Sequence, residues 1–187
     1  MLASMQPTVR AAVTVTFLRL EPVMDEPPVL LPAECQLVQL AACTVPFYRF
    51  LYGTVGGPYI WWIRRSFDDA SLAAILANPA VSIHVLYWGG EPAGFFELDA
   101  RNLPVVNLSY FGLMPHATGQ GLGRAFLHAA IDAARGLGAQ AITVNTCTAD
   151  HPRALPNYID AGYVPLRTMR EVWPVPLRLG MSIPAAR

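Results

Sequence analysis

Between residues 105 and 136 the hydrophobic pattern changes its period from two to about 3.6 across a short glycine-rich interval. Residues 105–113 read as a strand, Pro115 stops it, and Gly119, Gly121 and Gly123 follow at alternate positions. From residue 124 an apolar helical pattern begins at once, with Arg124, His128, Asp132 and Arg135 three or four residues apart on one polar face. That helix is expected to lie on a sheet with a wet stripe, and His128 falls on the stripe as a surface residue. Upstream, residues 81–87 and 93–98 form two runs about the turn Gly89-Gly90, which predicts a hairpin. Residues 105–113 then make a third neighbouring strand, joined through a loop containing Asn102 and Pro104. A first helix is predicted over 45–55, where Phe47, Phe50 and Leu51 share a helical spacing and Gly56-Gly57 is the stop. A second is capped by Asp68 or Asp69 and runs to Ala77, where Asn78-Pro79 ends it. Residues 13–20 alternate as a strand, with 36–42 as the partner expected across a loop marked by Pro27, Pro28 and Pro32. After the long helix, 141–146 is strand-like again. A meander followed by strand, helix and strand predicts an α+β protein with a mixed sheet.

Composition narrows the class. The chain has 187 residues, enough for one domain with a sizeable core, and we expect a single domain over 1–187 with its core at about 37–173 and a proline-rich tail at 174–187, either loosely attached or a dimer arm. Hydrophobic residues are 53% and charged residues 14%, yet no run of eighteen apolar residues lacks a break, so no membrane span is predicted. The beginning of the sequence lacks the order of a signal peptide, and a cytoplasmic location is the expectation. Basic and acidic residues number 13 each with no basic block, which removes the electrostatic footprint of a nucleic-acid binder. Cys35, Cys43 and Cys147 are odd in number and without C-x-x-C spacing, so neither a disulfide framework nor a metal site is indicated.

The strand, glycine loop and helix start together make an anion cradle. Glycines let the backbone turn and approach a ligand, and the first helical turn presents unpaired N–H groups at the positive end of the helix dipole. Pyrophosphate is the guest such a cradle suits. A dinucleotide fingerprint G-x-G-x-x-G would need its third glycine at Arg124 or Phe126, and a P-loop would need a lysine that the loop lacks. The run Thr118-Gly119-Gln120-Gly121-Leu122-Gly123 instead resembles the R/Q-x-x-G-x-G/A signature of the GNAT superfamily of acetyl-CoA-dependent N-acetyltransferases, with Thr118 in place of the usual Arg or Gln. One strand later, His151, Ala154, Tyr158, Gly162 and Tyr163 are similar to that family's N-x-x-A-x-x-x-Y-x-x-x-G-F/Y segment in every spacing, with His151 where Asn is usual. The resemblance covers residues 81–173.

It implies the GNAT-type acyl-CoA N-acyltransferase fold, an α+β, three-layer α/β/α arrangement with a central mixed, mostly antiparallel sheet flanked by helices. It implies acetyl-CoA as cosubstrate, with no metal, its pantetheine lying between the strands that end at Leu113 and Thr146, which splay apart. Cofactor contacts are expected from Leu113, Met114, Thr118, Gly119, Gln120, Gly121, Leu122, Gly123, Arg124 and, more loosely, Asn157. Tyr158 matches the tyrosine that protonates the leaving thiolate, although an aromatic on an amphipathic helix also simply packs. The candidate base is Glu97, a charge in an otherwise apolar strand, with Asp99 competing; strand alternation does not tell which face is wet. His151 is a further candidate and suits a capping position equally. Tyr59, Trp61 and Trp62 could wall an amine by cation–π contact or belong to the core or a subunit interface, and Arg64 and Arg65 beside them could pair a substrate carboxylate. The expected partner is a small amine-bearing substrate, not nucleic acid or membrane, with homodimerisation left open. The reading is an N-acetyltransferase that moves the acetyl group to the primary amine of a small molecule or peptide by direct attack in a ternary complex; its rivals are a non-catalytic CoA-binding or sensing module and transfer of a longer acyl group.

Overall fold

The computed structural model describes residues 7–21, 29–181 and 183. Seven strands form one sheet in the order β2-β3-β4-β5-β6-β1-β7. They are β1 (Thr8–Leu20), β2 (Cys35–Gln39), β3 (Val81–Trp88), β4 (Glu91–Asn102), β5 (Val105–Leu113), β6 (Ala141–Cys147) and β7 (Val164–Pro176). The helices are α1 (Val45–Gly56), α2 (Ile63–Ser66), α3 (Asp69–Leu76), α4 (Leu122–Gly136) and α5 (Ala154–Asp160). Among the described residues only β5 and β6 pair in parallel; every other ladder is antiparallel. This is the mixed, mostly antiparallel α+β architecture expected.

The meander forms where predicted, about Gly89-Gly90, because β3 and β4 bury residues on both faces. Residues 93–98 are buried without interruption. Phe96 and Leu98 pack with Phe126, Leu127 and Ile131 of α4 on one face, and Phe95 packs with Tyr48, Leu51 and Tyr52 of α1 on the other. Two layers of helix thus cover the sheet. Helix α3 starts where its cap predicts: the Ser71 amide donates to Asp68 Oδ1 at 2.7 Å, so Asp68 and not Asp69 is the cap.

Two expectations require correction. β1 does not pair with β2. It lies between β6 and β7, with Val15–Leu20 set against Cys147–Ile142 and Thr8–Arg19 against β7, while β2 pairs with β3. Alternation defines a strand but carries no information about a neighbour far along the chain. A bulge between Phe17 and Leu18 shifts the buried phase from Ala11, Val13 and Val15 to Leu18 and Leu20. Nor is the proline-rich end loosely attached through residue 181. Pro174 and Pro176 lie in β7 opposite Arg10 and Thr8, Val175 is buried, and the Leu177 amide donates to the Pro7 carbonyl at 3.0 Å. Prolines are admissible there because β7 is an edge strand. Pro27 and Pro28 of the predicted early loop lie outside the described residues, whereas Pro32 accepts the turn bond from the Cys35 amide. No helix among the described residues is long and apolar enough to cross a membrane.

One core histidine is held neutral by burial. His84 on β3 is buried, stacks on Phe96 with ring centroids 4.5 Å apart, and has Nε2 3.2 Å from Ser82 Oγ. Burial lowers its pKa from 6.5 to about 4. The unfolded chain therefore binds a proton between those values and the folded one does not, so stability is full above pH 6.5 and falls as the pH drops toward 4. Urea unfolding of His84→Met against the parent should show a shallower loss of stability in that window; an unchanged slope would clear His84 of the effect.

Candidate active site

The cleft begins where the sheet comes apart. β5 and β6 are joined only through Val105–Asn107 against Ala141–Thr143. Beyond them, residues 108–113 of β5 and 144–147 of β6 have a ladder on one flank only, to β4 and β1 respectively. The gap opens into a cleft of about 640 Å³, floored by those two strand ends and walled by the start of α4, by α5 and by residues 59–63. An unpaired strand flank presents alternating N–H and C=O groups to whatever enters.

At one wall the glycine loop does what its residue types require. Pro115–Ala117 forms a 3-10 turn, and Thr118 closes it by donating Oγ1–H to the Met114 carbonyl at 3.2 Å. The side chain at the first motif position is therefore spent inside the loop. Gly119 and Gly121 have φ of +81° and +79°, a region that side-chain-bearing residues avoid. Gly121 is the N-cap of α4 and no side chain caps the helix, so the N–H groups of its first turn remain without a capping partner. A Cβ placed at Gly123 would make only ordinary van der Waals contacts, 3.8 Å from Asn157 Nδ2 and 4.0 Å from Leu113 Cδ1. The cradle is thus open toward the cleft, and Arg124 lines it without an ion-pair partner among the described residues.

The remaining predicted cofactor residues divide. Leu113, Thr118, Gly119, Gly121, Gly123, Arg124 and Asn157 line the cleft. Met114 does not: its amide donates to the Ala93 carbonyl at 2.8 Å and its side chain is buried with the α1 core, so it has nothing left to offer a ligand. The Leu122 side chain points into the α4 core and Gln120 is exposed outside the lining, which leaves both with backbone contacts only.

Tyr158 of α5 lies in the cleft, 6% exposed, between Phe111 and Tyr163 with ring centroids 6.3 and 5.5 Å away. Its hydroxyl makes no hydrogen bond to the described residues. Burial first, then the neighbouring Tyr163 and Asp150, push its pKa well above that of a free phenol, so it stays protonated. Cys147 also lines the cleft, and burial with Asp150 nearby pushes its thiol up to about 12. It is a thiol and not a thiolate nucleophile at neutral pH.

Glu97 is not in the cleft. Strand alternation puts it on the α1 face with Phe95, 1% exposed, where Arg64 Nη2 donates to Oε1 at 2.6 Å and the Tyr48 hydroxyl donates to Oε2. Burial would lower the Arg64 pKa, but Glu97, with Tyr48 and Tyr110, outweighs it and holds it above the usual value. A carboxylate so placed lacks access to an acceptor amine. Asp99 is paired with Arg101, again outside the cleft. Arg64 is committed to Glu97, and Arg65 donates to the Gly53 carbonyl at 3.0 Å, so neither reaches a substrate carboxylate.

Tyr59, Trp61 and Trp62 do line the cleft. Trp61 leans on Tyr52 and Tyr110 with centroids 5.3 and 5.2 Å away, and its close seat needs Gly56, where a Cβ would lie 2.5 Å from Trp61 Cβ. His151 lines the cleft as well, its Nδ1 accepting from the Arg153 amide at 3.1 Å and its ring edge-on to Tyr59. Sequence reasoning missed Asp150 and Trp173. Asp150 had a signal available, an acid immediately before the first position of the second motif. Trp173 had none, because β7 shows no alternation to predict it.

A sheet parted beside an uncapped, glycine-led helix defines an acyl-CoA-type acyltransferase fold. The chain belongs to the GNAT acetyltransferase family: the model described as Acetyltransferase (GNAT) family matches residues 47–163, more than half of its length. No curated protein matches the sequence significantly. Solved structures share the fold at low identity. A Drosophila protein is 16% identical with a TM-score of 0.64, over 92% of this chain and 54% of that one. A GCN5-related N-acetyltransferase from Kribbella flavida is 17% identical with a TM-score of 0.56, over 88% and 57%. An aminoglycoside acetyltransferase from an uncultured soil metagenomic sample is 14% identical with a TM-score of 0.54, over 69% and 88%. The chain thus spans little more than half of the first two.

Glu97→Ala should cost about 3 to 5 kcal/mol in chemical denaturation, because Arg64 is left as an uncompensated buried charge. Acetyl-CoA affinity of the folded variant should be unchanged in calorimetric titration; a selective loss of affinity with stability intact would return Glu97 to the site.

Proposed function

We propose that the protein transfers the acetyl group of acetyl-CoA to the primary amine of a small molecule, by direct attack within a ternary complex. The observation that carries this reading is the junction of three features at one cleft: unpaired strand flanks, an uncapped helix start and a protonated tyrosine whose hydroxyl has no partner among the described residues. The α4 start and the Gly119–Gly123 loop receive the pyrophosphate, with Arg124 adding charge. Residues 108–113 of β5 hold the pantetheine arm as an added strand, and N–H groups on that flank bind and polarise the acyl carbonyl. Asn157 is placed to bond the same arm.

Acetyl-CoA supplies an already reactive thioester, so positioning is most of what the chain must provide, worth on the order of 7 to 11 kcal/mol in well-oriented systems. Tyr158 gives its phenolic proton to the sulfur as the C–S bond breaks and the new C–N bond is made. Of the two protons that leave an incoming ammonium, one is accounted for on the CoA thiol through Tyr158 and the other goes to solvent. The raised thiol pKa of Cys147 supports direct attack over an acyl-enzyme.

Tyr158→Phe should lower turnover about 10²- to 10⁴-fold, the range for a lost general acid, with the calorimetric Kd for acetyl-CoA nearly intact. Unchanged turnover would remove Tyr158 from the mechanism, and no acetyl-CoA binding by the parent protein would remove the proposal. Gly123→Val, at a site with ordinary room for a side chain, should weaken acetyl-CoA binding at least about tenfold by filling the cradle, while the melting temperature moves little. Equal loss of both would mark Gly123 as a packing glycine.

A further inference from the structure

The acceptor side of the cleft contains an anion that the acetyl-transfer reading does not use. Asp150, on the turn after β6, is the sole carboxylate among the described residues that line the cleft. Its Oδ2 accepts from Thr146 Oγ1 and from the Cys147 amide, each at 2.9 Å, which fixes the side chain on the turn. Its Oδ1 accepts only from Trp61 Nε1, at 3.2 Å. A carboxylate oxygen has two lone pairs, so Oδ1 keeps one of them free. No described Lys or Arg forms an ion pair with it, although Arg153 is three residues away. The turn needs Oδ2 alone; it does not explain why Oδ1 is held against an indole at the cleft wall.

The surroundings of that oxygen are aromatic. Tyr59, Trp61, Trp62 and Trp173 line the same cleft. Burial and then the Asp150 charge hold the Tyr59 phenol above its ordinary pKa, and at Tyr158 the same charge adds to burial and to Tyr163, which places Asp150 within electrostatic reach of both rings. Of the nearby cations, Arg153 lines the cleft without an ion pair to Asp150, and the others are placed elsewhere. Arg64 and Arg65 are tied to Glu97 and Gly53, and Arg124 borders the glycine cradle. A ligand carboxylate set against Asp150 Oδ1 would meet a like charge, whereas an ammonium would meet a fixed acceptor and several ring faces.

We propose that Asp150 and the aromatic wall form the acceptor site, taking the substrate's amino group as an ammonium on Asp150 Oδ1 and an uncharged, apolar or aromatic body against Trp61, Trp62, Tyr59 and Trp173. Arylalkylamines fit this chemistry. Asp150 is then a specificity-determining residue. The inference rests on the acetyltransferase reading for the location of the acyl group, but the binding site it names can be tested apart from turnover.

The test is calorimetric titration of the CoA-saturated protein with 2-phenylethylamine, 2-phenylethanol and 3-phenylpropionate, with acetyl-CoA titrated separately. The amine should bind about tenfold or more tighter than the alcohol, as for a hydrogen bond to a charged group, and the carboxylate, repelled by Asp150, should bind more weakly than the amine by at least as much. Asp150→Asn should bring amine and alcohol to equal affinity without changing the Kd for acetyl-CoA. Equal affinities in the parent, a preserved preference in Asp150→Asn, or no binding of any of the three would overturn the site. If the variant fails to fold, the parent's ranking of the three ligands decides. Acetyl-CoA binding with no amine preference would sink this inference alone. Amine preference without acetyl-CoA binding, titrated then on the protein without CoA, would sink the acetyltransferase reading and leave the amine site standing.

Discussion

Between Val105 and Asn107, β5 is hydrogen-bonded to β6; beyond Asn107 the two strands have no ladder between them. Backbone N–H and C=O groups are obligatory hydrogen-bonding groups, and leaving a row of them unmatched in the middle of a sheet is unfavourable unless water or a ligand takes the place of the missing strand. The rest of the site is arranged around that gap in the ladder. α4 crosses from β5 to β6 with its uncapped start at the opening, α5 follows β6 and brings Tyr158 to the cleft wall, and the segment between α1 and α2 supplies Tyr59, Trp61 and Trp62 of the aromatic wall. The sheet stays intact because each parted strand is secured on its other flank, β5 by β4 and β6 by β1.

The buried pair of Glu97 and Arg64 contributes to the site indirectly. Arg64 reaches from α2 to a carboxylate on β4, lies over the rings of Phe67 and Tyr110 at 5.6 and 5.4 Å, and its amide donates to the Tyr52 hydroxyl at 3.3 Å. These contacts fix the chain two and three residues after Trp62 and Trp61. A buried ion pair adds little net stability over apolar packing, but it is particular about geometry, and the segment it pins is the one that carries the aromatic wall.

Much of this is legible in the sequence, and what is legible shares a cause. The meander, α1, α3, α4 and the glycine loop are set by neighbours within a few residues: Gly89-Gly90 for the turn, Asp68 for the cap, the alternate glycines for the cradle. Tyr158 can be found because the spacing from His151 to Tyr163 is a local pattern on one turn and one helix. The misses are non-local. The neighbour of β1 depends on which exposed flank it meets after the chain has folded back, and nothing within residues 13–20 encodes that. Glu97 is misplaced by alternation because a period of two says that Phe95 and Glu97 share a face and opposes them to Phe96, but does not say which face meets the ligand. Met114 looks like a ligand contact by its proximity to the loop, yet the Ala93 carbonyl claims its amide.

The position of β1 has a consequence for how the molecule comes to exist. Thr8–Leu20 is synthesised well before either of its neighbours, Ala141–Cys147 and Val164–Pro176. An apolar, alternating strand must therefore wait without a partner while the meander and α4 are built, and closing so long a loop is slow compared with forming a hairpin. In that interval it is the part of the nascent chain most open to mispairing with another copy, and the half of the sheet that carries β6 and Tyr158 cannot be secured until it docks. Binding competence is then acquired at the step that brings Thr8–Leu20 onto Ala141–Cys147 and Val164–Pro176.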